Sequence, residues 1–227
     1  MKHKGKALRA GLKLIGSAFC IAAVAGVGGW LVRSAVPFLF WVACGIVGLW
    51  FVFSLFTLYF FRDPDASTPS QAGVVVCPGH GKVDVIDQVN ETQFMKGPCH
   101  RVSIFLSVID VHVQNAPISG RIACVKHTPG QFINAVRTDS AEHNENVLMG
   151  FESTENGEKI GARLIAGMIA RRIVPFIKEG DEVARGERIS LIQFGSRCDL
   201  YIPLNYKIQV KLGDRVVGGE TVMAVKS

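Results

Sequence analysis

The chain has 227 residues, 48% of them hydrophobic, and a formal net charge of +6 at neutral pH. The whole excess comes from residues 1–33, which contain six Lys and Arg side chains and no acidic residue. The remaining 19 basic residues equal the 19 acidic ones, so the charge favours a membrane flank over a patch that binds a nucleic-acid backbone. The length allows one domain of ordinary size, or a smaller domain with an appendage.

Two apolar runs near the start of the chain, residues 14–32 and 35–61, contain no charged residue. Each reaches the roughly 20 residues that a helix needs to cross a bilayer. Only Arg33 and Ser34 separate the runs, so they predict a helical hairpin that either spans the membrane or dips into one leaflet. A signal peptide is the alternative for the first run, but a second apolar run follows almost at once. Small residues would let the helices approach closely: Ala22, Ala25, Gly26, Gly28 and Gly29.

The composition changes after this anchor, which covers residues 1–61. Residues 62–73 form a polar linker with two prolines. From residue 74 to residue 227, short runs rich in β-branched residues alternate with Gly, Pro and Asn, which predicts a mainly antiparallel β domain. In this interpretation residues 102–113 (VSIFLSVIDVHV) form one strand, and residues 160–172 are extended rather than helical.

An internal repeat sharpens the fold prediction. Residues 180–189 and 213–222 share the pattern G-D-x-V-x-x-G-E-x-[IV]. The two glycines of each copy suit turns with positive φ, and the branched residues return the chain to a sheet. Similar turns occur in barrel-sandwich hybrids. The sequence therefore predicts a barrel-sandwich-hybrid-like antiparallel β domain preceded by an N-terminal transmembrane helical hairpin.

The six cysteines show neither a C-x-x-C pair nor a spacing with histidine that suggests a zinc site. Scattered cysteines of this kind are usually free and buried, which fits a reducing compartment. The sequence thus predicts free thiols and no metal centre.

Several segments together resemble one enzyme family. Between the two copies of the repeat lies the stretch LIQFGSRCDLYIP, residues 191–203. With it, and in the same order and spacing, the sequence resembles the phosphatidylserine decarboxylases in their short, archaeal-type, pyruvoyl-dependent form. Residues 194–197 of this stretch carry the resemblance, together with residues 61–64, 78–81, 105–113, 115–117, 129–130 and 166–173.

The resemblance implies that the chain cleaves itself between Gly195 and Ser196. Ser196 would become a covalent pyruvoyl group, and the products would be a large chain, residues 1–195, and a small chain, residues 196–227. The pyruvoyl group would form a Schiff base with phosphatidylserine and release carbon dioxide and phosphatidylethanolamine, with no pyridoxal phosphate and no metal. A bulge or turn in a strand is the plain alternative for Gly195-Ser196.

The serine hydroxyl needs a base, and Asp110 and His112 are the candidates. Positions i and i+2 of a strand point to one face, so the two side chains are expected to converge. His112 has a suitable pKa for general acid–base work, and Asp110 would orient it. The family's longer members take this histidine from a later segment, which here, residues 151–157, contains none. His143 is the alternative base, and a hydrogen-bonded histidine in a β core is the structural alternative for His112.

Three arginines are candidates for substrate binding. Arg171 and Arg172 interrupt an apolar run, which is costly unless they meet water or an anion. They are expected to bind the substrate phosphate or carboxylate, as is Arg197 beside Ser196. Solvation at a sheet edge is the alternative for the first two.

These observations predict an enzyme of the cell membrane, with its β domain on the cytoplasmic side. The lysine-rich start favours a cytoplasmic N-terminus, and two crossings return the chain to that side. The expected partners are phosphatidylserine in the membrane and the chain's own two fragments as a heterodimer, with further oligomerisation left open and no nucleic acid. Two other functions stay open: a non-catalytic membrane-tethered adaptor, and a pyruvoyl decarboxylase of another amino acid.

Overall fold

A computed structural model describes residues 2–133, 143–167, 172–193 and 196–227. The chain divides into two compact units, Gly5–Asp63 and Pro64–Ser227, the second of which includes the first residues of the chain. The first unit is helical, and the second consists of β strands and turns.

The helical unit contains α1 (Lys6–Leu31) and α2 (Pro37–Phe60). At 1.5 Å per residue the two helices are about 39 and 36 Å long. Both are long and apolar enough to cross a membrane, as the fold prediction requires. Pro37 occupies the first turn of α2, where its missing N–H costs nothing.

Close packing between α1 and α2 depends on small residues. A Cβ on Gly29 would collide with the side chain of Ala43, so the two helices are in close contact there. The indole Nε1 of Trp50 donates a hydrogen bond to the carbonyl of Ile15 at 3.2 Å. Gly28 has open space where a Cβ would lie, so the expectation that it lies at the interface is wrong.

In the described residues the second unit contains fourteen strands, and all ladders between them are antiparallel. The strands are β1 (Val74–Val76), β2 (Gly81–Glu91), β3 (Gly97–Leu106), β4 (Val113–Asn115), β5 (Gly120–Thr128), β6 (Asn146–Ser153), β7 (Lys159–Ala166), β8 (Arg172–Pro175), β9 (Glu182–Val183), β10 (Arg188–Gln193), β11 (Ser196–Pro203), β12 (Tyr206–Ile208), β13 (Arg215–Val216) and β14 (Val222–Lys226).

The strands form one large curled sheet and two small sheets. The eight-stranded sheet has the order β13-β2-β3-β11-β7-β6-β5-β9, and the small sheets are β1-β14-β12 and β4-β10-β8. The apolar face of the large sheet builds the core, with fully buried side chains such as Ile104, Leu164, Cys198 and Leu200. This half-barrel confirms the predicted fold class, and β11 lies inside the large sheet, hydrogen-bonded to a strand on each side.

The internal repeat forms the two edges of the large sheet. Its first copy contributes β9, which pairs with β5, and its second contributes β13, which pairs with β2. Positive φ values occur at Gly180 (89°), Gly186 (78°), Gly213 (92°) and Gly219 (76°). These are the glycines for which the sequence predicted such turns, and that prediction is confirmed.

Candidate active site

Ser196 is the first residue of β11 and faces the core. It lies opposite Leu106 of β3 and Ala166 of β7. Because side chains alternate along a strand, Ser196 shares the apolar face with Cys198. Its side chain is 0% exposed, and no described residue forms a hydrogen bond with its Oγ. Leaving a buried hydroxyl without a partner costs about 1–3 kcal/mol, which marks Ser196 as a candidate for function.

The cleavage position itself extends outside the described residues. Gly195 lies there, and so does Arg171. The roles predicted for these two residues therefore stay predictions.

His112 is fully buried beside the segment that leads to Ser196. Its main-chain carbonyl accepts a hydrogen bond from Ile192 N at 3.1 Å, on the strand that ends three residues before Ser196. Its ring atom Nδ1 lies 2.9 Å from the carbonyl oxygen of Asp110. Since a carbonyl can only accept, Nδ1 carries a proton, so in the neutral form of the ring Nε2 is the basic nitrogen.

The expectation that Asp110 and His112 share one strand face is wrong. β3 ends at Leu106 and β4 begins at Val113, so the predicted strand over residues 102–113 is interrupted. The carboxylate of Asp110 stabilises the turn between them, accepting a hydrogen bond from Ser107 N at 2.9 Å. Its other oxygen pairs with Arg215 Nη1 at 3.0 Å. Asp110 therefore contacts the His112 ring through its main chain and not through its carboxylate.

A buried polar chain, which the sequence did not reveal, holds the backbone of His112. Gln114 Nε2 donates to the His112 carbonyl at 2.7 Å, and Ser190 Oγ donates to Gln114 Oε1 at 2.7 Å. All three side chains are fully buried. The only signal in the sequence is a polar glutamine between Val113 and Asn115, and nothing there points to Ser190.

The alternative base, His143, is exposed, whereas its neighbour Asn144 is buried. Asn144 Nδ2 donates to the carbonyl of Ala166 at 2.7 Å, and Ala166 is the β7 partner of Ser196. Asn144 thus fixes the strand beside the serine, a position that sequence reasoning missed. The burial of His112 beside β10 favours His112 over His143 as the base.

The arginines differ in position. Arg172 is exposed and pairs across the ladder with Gln193, near the end of the strand that leads to Ser196. Arg197 is buried on the opposite face of β11 from Ser196. It forms a bidentate pair with Asp84, at 3.1 and 2.5 Å. This pairing favours a structural role for Arg197, and substrate binding by either residue stays a prediction.

A buried carboxylate lies on the same face as Arg197. Asp199 is almost fully buried, and neither of its oxygens has a described partner at hydrogen-bond geometry. Burial raises the pKa of this carboxyl, although the Ser103 hydroxyl and the guanidinium groups of Arg197, Arg101 and Arg163 act in the other direction. The alternation of β11 keeps Asp199 away from the Ser196 side of the sheet.

The thiols near Ser196 do not compete with it as nucleophiles. All six cysteines are free, as predicted. Burial raises the pKa of Cys77 to about 12, and burial likewise raises the pKa of Cys198 well above its ordinary value. Both thiols are therefore neutral at physiological pH, and the thiolate is the reactive form.

Comparison with known proteins places this site in a family. The phosphatidylserine decarboxylase family model matches residues 53–224. Three similar proteins are each described as a phosphatidylserine decarboxylase proenzyme. The one from Desulfotalea psychrophila is 40% identical over 84% of this chain and 94% of its own length. The one from Zymomonas mobilis is 46% identical over 72% of this chain and 69% of its own length. The one from Syntrophus aciditrophicus is 37% identical over 84% of this chain and 95% of its own length.

The match covers every residue of the site, from the turn that carries Asp110 to the strand that begins with Ser196. The identity extends over nearly the whole length of two of the relatives. The chain belongs to the phosphatidylserine decarboxylase family.

Proposed function

We propose that the chain is a phosphatidylserine decarboxylase that makes its own pyruvoyl group from Ser196. The observation that carries this proposal is the buried Ser196 hydroxyl, which has no described hydrogen-bond partner at the start of a strand in the middle of the sheet. A buried hydroxyl without a partner costs stability, and such a cost is retained where the group serves chemistry. A serine that is consumed by its own chain would account for it.

Formation of the group proceeds in three balanced steps. Ser196 Oγ attacks the carbonyl carbon of residue 195 and the C–N bond breaks, with the hydroxyl proton ending on the Ser196 nitrogen. Removal of the Ser196 Hα with cleavage of the Cβ–O bond leaves a carboxylate on residue 195 and dehydroalanine at residue 196. Water then replaces the nitrogen, which leaves as ammonia, and a pyruvoyl group begins the small chain.

His112 is the base that we assign to the first step. Its Nδ1 is held as a donor by the Asp110 carbonyl, so Nε2 can receive the hydroxyl proton. The hydrogen bond from Ile192 N to the His112 carbonyl joins the backbone of His112 to the strand that ends three residues before Ser196, which supports this assignment. Asp110 acts as a positioning residue, through its carbonyl and through the turn that its carboxylate stabilises.

The two fragments are proposed to stay together as a heterodimer. The small chain would retain β11, which pairs over its length with β3 and over six residues with β7, both in the large chain. Three described ion pairs also join the fragments: Arg197 with Asp84, Arg215 with Asp110, and Lys226 with Glu158. Separation of the fragments would break these ladders. We therefore expect cleavage to cut the backbone while every strand stays in its sheet.

The pyruvoyl group supplies an electrophilic carbonyl that holds the substrate amine and accepts the electrons released with carbon dioxide. Arg172 is exposed opposite Gln193 and is the cation that we propose to meet the substrate phosphate or carboxylate. Buried His112 can deliver the proton that replaces the lost carboxylate. The apolar residues around Ser196 restrict the access of bulk water to the reacting centre.

The two apolar helices support a membrane location. We propose that they hold the enzyme in the cell membrane with the β domain on the cytoplasmic side, because the lysine-rich start favours that side. A diacyl lipid does not leave the bilayer freely, so anchoring keeps the domain near its substrate.

The test is release of carbon dioxide from carboxyl-labelled phosphatidylserine, with free serine as competitor, by wild-type protein and by Ser196→Ala. The proposal predicts two fragments on a denaturing gel and lipid decarboxylation for the wild type only. An intact, inactive wild-type chain supports the adaptor function instead. Preferential use of free serine supports a decarboxylase of another substrate.

A further inference from the structure

The turn between β3 and β4 presents apolar side chains to solvent. Ser107 O accepts a hydrogen bond from Asp110 N at 2.9 Å, and the Asp110 carboxylate accepts one from Ser107 N at 2.9 Å. The two central residues are Val108 and Ile109, which are 38% and 55% exposed. Gly, Asn, Asp, Pro and Ser are the usual residues at such positions. The turn is well braced and exposes a β-branched pair at its tip, which makes it an apolar surface feature of the kind found at contact sites.

Cations flank this tip. Arg215 pairs with Asp110 at 3.0 Å while its own side chain is 69% exposed. Lys82 is exposed and is the register partner of Arg215, so both project from the same face of the ladder. The nearby acid Asp214 is exposed and accepts a hydrogen bond from Lys211 N. Apolar side chains beside Lys and Arg are typical of surfaces that bind anionic lipid.

The turn is joined directly to the candidate active site. Asp110, its last residue, accepts the hydrogen bond from Nδ1 of buried His112 through its carbonyl. Whatever contacts Val108 and Ile109 is thus within a few residues of the base that serves Ser196.

We propose that the turn Ser107–Asp110 is a membrane-contact element that brings the active site to an anionic lipid surface. Val108 and Ile109 enter the interfacial layer, and Arg215 and Lys82 contact the negatively charged headgroups. The choice of a lipid surface rests on the proposed function, in which the substrate is an anionic lipid. The contact positions the site, and the turn takes no part in the chemistry.

The direct test is the labelling rate of Ile109→Cys by a membrane-impermeant maleimide, followed by peptide mass spectrometry. The full chain is placed in nanodiscs containing phosphatidylglycerol, an anionic lipid that is not the substrate, and in detergent for comparison. Leu204→Cys is the control, because Leu204 is 44% exposed just past the far end of β11 from Ser196. We expect labelling at Ile109→Cys to slow at least about fivefold in nanodiscs, with Leu204→Cys changing less than about twofold.

Equal slowing of the two positions would overturn the proposal. Protection of Ile109→Cys in detergent that increases with protein concentration would also overturn it, since a second copy would then cover the turn. The labelling does not depend on decarboxylation. An inactive wild-type chain would contradict the proposed function, and the labelling rates would still show whether the turn contacts lipid.

A kinetic test separates contact from chemistry. The double variant Val108→Ser/Ile109→Ser should lose about tenfold or more in kcat/KM on phosphatidylserine in nanodiscs. On monomeric dihexanoyl phosphatidylserine it should stay within about twofold of the wild type, as Leu204→Ser should on both substrates. A matching loss on both substrates would assign the turn to the geometry of His112 and contradict the proposal.

Discussion

The ring of His112 donates a hydrogen bond from Nδ1 to the main-chain carbonyl of Asp110 at 2.9 Å. The Asp110 carboxylate points elsewhere, to Ser107 N and to Arg215. In a Ser-His-Asp relay the aspartate carboxylate both fixes the tautomer of the histidine and stabilises its charged form. Here a backbone carbonyl fixes the tautomer instead.

The first prediction compares these two residues. His112→Ala should slow self-cleavage by about 10²-fold or more, since it removes the base. Asp110→Asn keeps both the carbonyl and an oxygen that can accept from Ser107 N, so cleavage should slow less than about tenfold. The measurement is the time course of fragment appearance after translation in vitro. If Asp110→Asn were as slow as His112→Ala, the carboxylate would have a direct part in the reaction.

The second prediction concerns the buried chain behind His112. Gln114→Leu removes the donor to the His112 carbonyl and leaves Ser190 Oγ without its acceptor. The variant should lose about 1–3 kcal/mol of stability and cleave more slowly, with a shifted pH profile of cleavage. Ser190→Ala keeps the contact to His112 and serves as the control. A loss of stability with an unchanged pH profile would mean that Gln114 is only structural.

The third prediction follows from the raised pKa of Asp199, which burial causes. The folded chain binds this proton more tightly than the unfolded chain, so stability falls as pH rises from the ordinary value of 3.8 through the raised pKa. Asp199→Asn removes this penalty and should be more stable than the wild type at pH 7, with no gain at pH 3. Denaturant unfolding at the two pH values measures this, with exposed Glu182→Gln as control. A variant less stable at pH 7 would show that the ionised carboxylate is stabilised by the surrounding arginines.

The fourth prediction tests Arg172 as a substrate ligand. Arg172→Gln should raise KM for phosphatidylserine by about fivefold to tenfold and leave kcat within about twofold, because a charge-assisted contact is lost while His112 and Ser196 are untouched. Arg121→Gln, at an exposed position on β5, is the matched control. An unchanged KM would place Arg172 at a solvated strand edge, as its surroundings in the sequence also allowed.

The fold was largely predictable because its signals are local. Charge-free runs of helical length predicted α1 and α2, and glycine spacing predicted the positive-φ turns at Gly180 and Gly213. The prediction of one strand over residues 102–113 was wrong because Val108 and Ile109, which favour strands, occupy a turn. The membrane-contact proposal would account for that exception.

The site was predictable only in part, because its decisive contacts are not local in sequence. Ser196 was identified through the family resemblance, and Gly-Ser alone would not have singled it out. The carbonyl of Asp110 left no signal, since every residue has one. The pairing of Arg197 with Asp84 joins residues 113 positions apart, and no pattern in a single sequence shows it.

The most direct test of the central claim is intact mass spectrometry of the purified chain, with and without borohydride in the presence of phosphatidylserine. The account predicts a fragment of residues 196–227 that begins with a blocked, pyruvoyl-bearing residue and gains the mass of the lipid on reduction. Ser196→Ala should give one uncut chain with no adduct. A folded wild-type chain of 24.7 kDa, uncut and without adduct, would contradict the account.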